Sequence, residues 1–254
     1  MNPTWRKRYP WWRPVPQNMT LCIAALADGY QDDPKIVLCS DMLLGNEYQS
    51  IETEAKSDVG FSDTLAALYA GTYEDSTNLK RVLLRTVRAK ELTLDNYIGV
   101  LSDGWNEFDA IPRALPNSKS DAQCIVAGFI EGEPRIIRIE KEGVDTLPFC
   151  VAIGIGGYHA DTVLSWRQIT QYSSLEQVLY CLYEAKRFGR LCKDVGSGTI
   201  MEILRLDKQG EMQVDLVMHQ GLNEMGRWFE RFGPKDLAYD LTLPLEALHR
   251  IKPD

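Results

Sequence analysis

Between Thr20 and Val217 the spacing of apolar residues switches from strand-like runs to helical periodicity and back, twice over. A chain patterned in this way can close a core only by laying helices against sheets, which places it in the α+β class. The runs Leu21–Leu26 and Lys35–Ser40 flank Ala27-Asp28-Gly29 and Gln31-Asp32-Asp33-Pro34, whose Gly, Asp and Pro suit turns, so they read as an opening hairpin. A strand over Thr64–Tyr69 ends at Gly71. Asp75–Ala89 then sets Leu79, Val82, Leu83 and Thr86 at helical spacing, and a second helix is expected over Leu94–Phe108. Strands follow over Gln123–Phe129, Pro134–Glu140 and Phe149–Ile153. Helices return at Tyr158–Ile169 and Ser174–Cys192, the latter with an apolar stripe of Leu175, Val178, Leu179, Leu182 and Ala185, and with Ser173-x-x-Glu176 as its capping box. Thr199–Leu206 and Glu211–Val217 are the last strands. One domain is expected over 20–254, with a tail from about 218.

Charge and residue usage narrow the function classes. Residues 1–19 hold four cations and no acid, so the remainder carries a formal −12 against −8 for the whole chain, an acidic body ill suited to a nucleic-acid groove. The first 18 residues, rich in Pro and Trp and without hydrophobic period, read as a leader, a disordered tail or an untranslated upstream stretch. They lack the apolar h-region of a secretory signal. No stretch reaches the ~18–20 uninterrupted apolar residues of a membrane span. Six dispersed cysteines with no C-x-x-C, most inside apolar runs, suit buried thiols in a reducing cytoplasm. The three histidines are far apart and make no metal-ligand spacing, so a metal site is not expected.

Gly154-Ile155-Gly156-Gly157 follows an apolar strand and precedes a helix, as a dinucleotide loop would, but His159 stands where the third glycine belongs, and a packing turn is the simpler reading. No phosphate loop or serine-hydrolase elbow is present. An ordered set does stand out: Thr20 opening the first strand, Ser40-Asp41 closing the second, Lys56, Ala70-Gly71 ahead of the first helix, and Asp194-x-x-Ser197-Gly198 between a long helix and a strand. In this order, from Thr20 to about Leu206, the chain resembles the β-type subunits of the 20S proteasome and their bacterial relatives, the N-terminal-nucleophile threonine peptidases.

The resemblance implies a four-layer αββα sandwich, a homo-oligomeric ring, a peptide or unfolded-protein substrate and no cofactor; it does not specify an ATPase partner. It implies Thr20 as nucleophile, Asp41 and Lys56 as its charged neighbours, Gly71 as the oxyanion-hole residue, Asp194 and Ser197 as the supporting pair, and Leu44, Glu54 and Tyr69 around the side-chain pocket. A threonine hydroxyl needs a base within reach, and a free α-amine with a pKa near ~8 serves at neutral pH. The amine of Thr20 is freed if translation starts at Met19 and that methionine is removed, or if Thr20 attacks the Met19 carbonyl. Three positions depart from the family: Ile155 stands where a serine usually bonds the amine, Gly157 stands for a second serine, and Met19 replaces the usual glycine. They support a second reading, a catalytically degenerate ring subunit with a structural or binding role; a third is an amidase of the same chemistry acting on a small amide.

Overall fold

The computed structural model describes residues 20–31, 33–45, 50–52, 56–112, 120–192, 195–233 and 248–251. Its strands are β1 (Cys22–Ala27), β2 (Lys35–Asp41), β3 (Leu43–Gly45), β4 (Ser50–Glu52), β5 (Ser57–Asp58), β6 (Leu65–Ala70), β7 (Gln123–Ile130), β8 (Glu133–Glu140), β9 (Gly143–Leu147), β10 (Cys150–Ile153), β11 (Thr199–Leu206), β12 (Met212–Val217) and β13 (Leu248–Ile251). Five helices are described: α1 (Tyr73–Ala89), α2 (Tyr97–Asp109), α3 (Gly157–Arg167), α4 (Leu175–Gly189) and α5 (His219–Phe232). The class is α+β. One sheet has the order β10-β1-β2-β11-β12-β13 and another β5-β6-β7-β8-β9, with β3 and β4 as a separate ribbon. Every pairing is antiparallel.

The central strands are apolar on both faces because both faces are buried. Along β1, Ile23, Ala25 and Ala27 join a cluster with Val178, Leu179 and Leu182 of α4, while Cys22, Ala24 and Leu26 join a second cluster with Ala66, Leu68 and Ile125 of the other sheet. A third cluster sets Leu65, Ala67, Cys124 and Val126 against Leu79, Leu83, Leu101 and Phe108 of α1 and α2. This is the period-2 alternation of a strand, with apolar residues in both phases.

Several boundaries move for local reasons. The second helix starts at Tyr97 rather than Leu94, because the Asn96 side chain accepts from Thr93 N at 2.9 Å and donates to Glu91 O at 2.9 Å, closing a turn in place of the first helical turn. The capping box lies one residue later than expected: Ser174 Oγ accepts from Gln177 N and Gln177 Oε1 accepts from Ser174 N. Between the strands expected over Pro134–Glu140 and Phe149–Ile153 lies a further one, β9, which pairs with β8. Residues 219–232 are not a tail but α5, whose Met225 and Trp228 are buried in the first cluster, with the Trp228 ring centroid 6.4 Å from that of Tyr180.

Antiparallel order also determines where loop ends gather. The start of β1 meets the ends of β2 and β10, since Cys22 pairs with both Ser40 and Ile153. The start of β11 meets the end of β2 through Thr199 and Asp41, and the start of β5 meets the end of β6 through Ser57 and Leu68.

Candidate active site

Thr20 lies two residues before β1 and is buried, at 4% exposure. Its neighbour Leu21 is clasped twice by Asp41: Leu21 N donates to Asp41 Oδ1 at 3.1 Å, and Asp41 N donates to Leu21 O at 3.1 Å. Asp41 is fully buried, yet donors replace the lost water. Lys56 Nζ donates to Oδ1 at 2.6 Å, and Gly196 N donates to Oδ2 at 2.8 Å. The same Lys56 ammonium donates to Thr20 Oγ1 at 2.7 Å. Its side chain is 5% exposed, so this cation works largely out of water, where its field is little screened.

Lys56 is placed by the strand it leads into. Its carbonyl accepts from Tyr69 N at 3.2 Å, and the next residue, Ser57, donates through Oγ to Glu202 Oε1 of the opposite sheet at 2.8 Å. Gly71 ends β6 with φ +127°, and a Cβ there would lie 2.9 Å from Ala122 Cα, so this position requires glycine. Gly154 ends β10 with φ +89°. A Cβ on it would lie 2.2 Å from Thr20 O and 3.5 Å from Ala70 Cβ, which puts the end of β6 and the Gly154 turn beside Thr20. Gln123 Oε1 accepts from Gly154 N at 2.8 Å and holds that turn to the second sheet.

Thr20, Asp41 and Lys56 are thus brought into direct contact, with Ala70-Gly71 adjoining through Gly154. Ser197 is exposed, and its carbonyl accepts from Lys186 Nζ at 3.1 Å. Asp194 and Glu54 lie outside the described residues; Leu44 pairs with Ile51 in the β3–β4 ribbon, and its side chain is likewise outside them. Tyr69 is half-buried, packed on the cluster beneath α1 and α2, and its hydroxyl is buried without a hydrogen-bond partner. Burial pushes its phenol well above the ordinary value.

Two thiols near Thr20 are held protonated by burial. Burial pushes Cys22, whose Sγ donates to Tyr69 O at 3.5 Å, far above the usual thiol range, and pushes Cys39 up to about 12, so neither forms the thiolate that attacks. All six cysteines are unpaired. Among the described residues no three His, Cys, Asp or Glu side chains gather as metal ligands, and no helix is long and apolar enough to cross a membrane.

Three polar residues around the site were not singled out from sequence: Lys186, Glu202 and Gln123. The first two carry a readable signal. Lys186 follows Leu175, Leu179 and Leu182 on the apolar stripe of α4, and Glu202 interrupts an apolar run between Met201 and Ile203. A charge at such a position is buried only with a partner, which points to a polar task. Compared with known proteins, the sequence matches no family model and no curated protein.

Proposed function

We propose that this chain is a threonine-type N-terminal-nucleophile hydrolase of peptide or amide bonds, built as a four-layer αββα sandwich and assembled with copies of itself into a ring. The observation that carries the reading is one ammonium, Lys56 Nζ, at 2.7 Å from Thr20 Oγ1 and 2.6 Å from Asp41 Oδ1. Three apolar clusters, one under α3 and α4, one between the sheets and one under α1 and α2, support the layered frame.

Once Met19 is removed, the Thr20 α-amine is the base. It takes the hydroxyl proton as Oγ1 attacks the substrate carbonyl, while Lys56 lowers the cost of the negative charge building on Oγ1. The Gly71 N–H receives the tetrahedral oxyanion; losing one such donor costs ~10²–10³ in rate. Collapse breaks the C–N bond, the amine returns its proton to the leaving nitrogen, and water hydrolyses the ester by the same route.

The test combines intact mass with mutation. The active assembly should contain chains beginning at Thr20, and Thr20→Ala should abolish turnover of fluorogenic peptides while leaving fold and assembly intact. Active chains that retain Met19 would overturn the reading, as would full activity in Thr20→Ala. The degenerate-subunit reading is favoured by Ile155, whose side chain packs on the core cluster where the family's amine-orienting hydroxyl would stand. Mature Thr20 termini without any turnover would select it.

A further inference from the structure

We infer that Lys186 is a positioning residue for the Thr20 site, holding Gly196 so that its N–H stays on Asp41. The catalytic consequence rests on the hydrolase reading above; the structural one does not. Lys186 lies on α4 at 1% exposure, on a helix whose other charged side chain at such burial, Glu184, is taken by Arg167 at 2.6 and 2.8 Å. Lys186 donates to two main-chain carbonyls, Gly196 O at 2.6 Å and Ser197 O at 3.1 Å.

Gly196 is therefore bracketed. Its C=O is drawn toward Lys186 on the helix side, and its N–H donates to Asp41 Oδ2 at 2.8 Å on the strand side. The other oxygen of Asp41 accepts from Lys56, which in turn reaches Thr20. The contacts make one relay: Lys186, Gly196, Asp41, Lys56, Thr20. If the ammonium is replaced by a methyl-ended chain, two carbonyls lose a charged donor, that of Gly196 in a buried position, and an unpaired buried carbonyl turns toward whatever donors remain. Turning the Gly196 unit releases its N–H from Asp41. The carboxylate then keeps donors on Oδ1 alone, and the Lys56 contact to Thr20 loosens. Misplacement on this scale costs on the order of 10²-fold in rate.

The full-length assembly is compared as wild type, Lys186→Met and Lys186→Gln, with activity expressed per mature Thr20 terminus counted by mass. Expected is a fall in kcat of order 10²-fold in Lys186→Met with KM unchanged, and partial recovery in Lys186→Gln, whose amide restores a donor. A second arm needs no activity. Amide hydrogen exchange should show residues 195–198 losing protection in Lys186→Met while the middle of α4 and β2 keep theirs, and adding Asp41→Asn should expose that segment no further, because both changes break the same bond. Wild-type kcat in Lys186→Met, unchanged exchange at 195–198, or additive exposure in the double variant would each overturn the inference. If Lys186→Met does not fold, Lys186→Gln is read in both arms by the same criteria. A wild-type protein that turns over no amide defeats the hydrolase reading, and the exchange arm then decides the role of Lys186 by itself.

Discussion

A carboxylate removed from water is tolerated when donors replace the water, and the two buried acids near the site differ in how well this is done. Asp41 accepts from Leu21 N, Gly196 N and the Lys56 ammonium. Glu202, at 5% exposure, accepts from the Ser57 hydroxyl, and desolvation pushes its carboxyl above the ordinary carboxylate range, the Ser57 bond only partly opposing this. A folded-state pKa raised above the unfolded one means that the folded protein binds the proton more tightly. The associated stability is complete below the ordinary carboxylate value and is lost as pH rises through the raised one. Glu202→Gln keeps an acceptor for Ser57 and has no proton to lose, so melting temperature followed against pH should fall less steeply above the ordinary carboxylate range than in wild type. Parallel curves would refute this assignment. Tyr69 presents the opposite problem, a buried hydroxyl with no partner. Tyr69→Phe removes that group at nearly constant shape and should stabilise the fold by about 1 kcal/mol, read in urea as a higher midpoint at unchanged slope. A lower midpoint would mean that the hydroxyl is satisfied.

At the scale of elements, what could be read from sequence was whatever periodicity and turn chemistry report locally. β1, β2, β6 and β11 were legible because apolar residues fill both phases of the strand, and α1 and α4 because their stripes repeat over several turns. β9, with burial alternating poorly along Gly143–Leu147, carries no such pattern; its identity comes from pairing with β8. α5 was legible and missed: Leu222, Met225, Trp228, Phe229 and Phe232 are a helical stripe that packs on the first cluster. The site divides the same way. Thr20, Asp41, Lys56 and Gly71 stand at strand ends, which sequence order nearly fixes, whereas linking Lys186 to Gly196 requires the packing of α4 over the sheet. The capping box at Ser174 offers a test confined to one element. Ser174→Ala leaves the Gln177 N–H without its acceptor and should destabilise the fold by about 0.5–2 kcal/mol without changing the activity proposed for Thr20. Restoration by Ser174→Asp, another good cap, would separate capping from packing; equal loss in both variants would argue for packing.

Across the whole molecule, a basic helix face and a helix with exposed aromatic side chains offer copies of the chain two different ways to meet. One face of α1 presents Lys80, Arg81, Arg85 and Arg88 around Leu84, on a body whose formal charge from residue 20 onward is −12. Lys80 pairs with Asp58 and Arg85 with Glu107 of the same chain, while Arg81 donates to Asn78. These side chains are close to half exposed or more where they pair, so the internal bridges are weak competitors for an acidic neighbour. A second candidate face is α3, on which Tyr158 and Trp166 are 81% and 51% exposed; Leu191, just past α4, is 72% exposed. Contacts through the two faces answer salt oppositely. At about 0.15 M the screening length of ~8 Å still lets a basic helix face attract an acidic one, whereas at about 1 M it shrinks to ~3 Å; apolar contact survives or strengthens in high salt. The assembly proposed above should therefore run at several hundred kilodaltons by light scattering at moderate salt, dissociate toward smaller species near 1 M, and do so at lower salt in Arg81→Glu or Arg88→Glu. An assembly that persists at high salt and in both variants would move the contact from α1 to the α3 surface, where Trp166→Glu becomes the disrupting change. A monomer at micromolar concentration and moderate salt would remove both ring readings, catalytic and structural, and leave hydrolysis of a small amide at Thr20 as the activity to test.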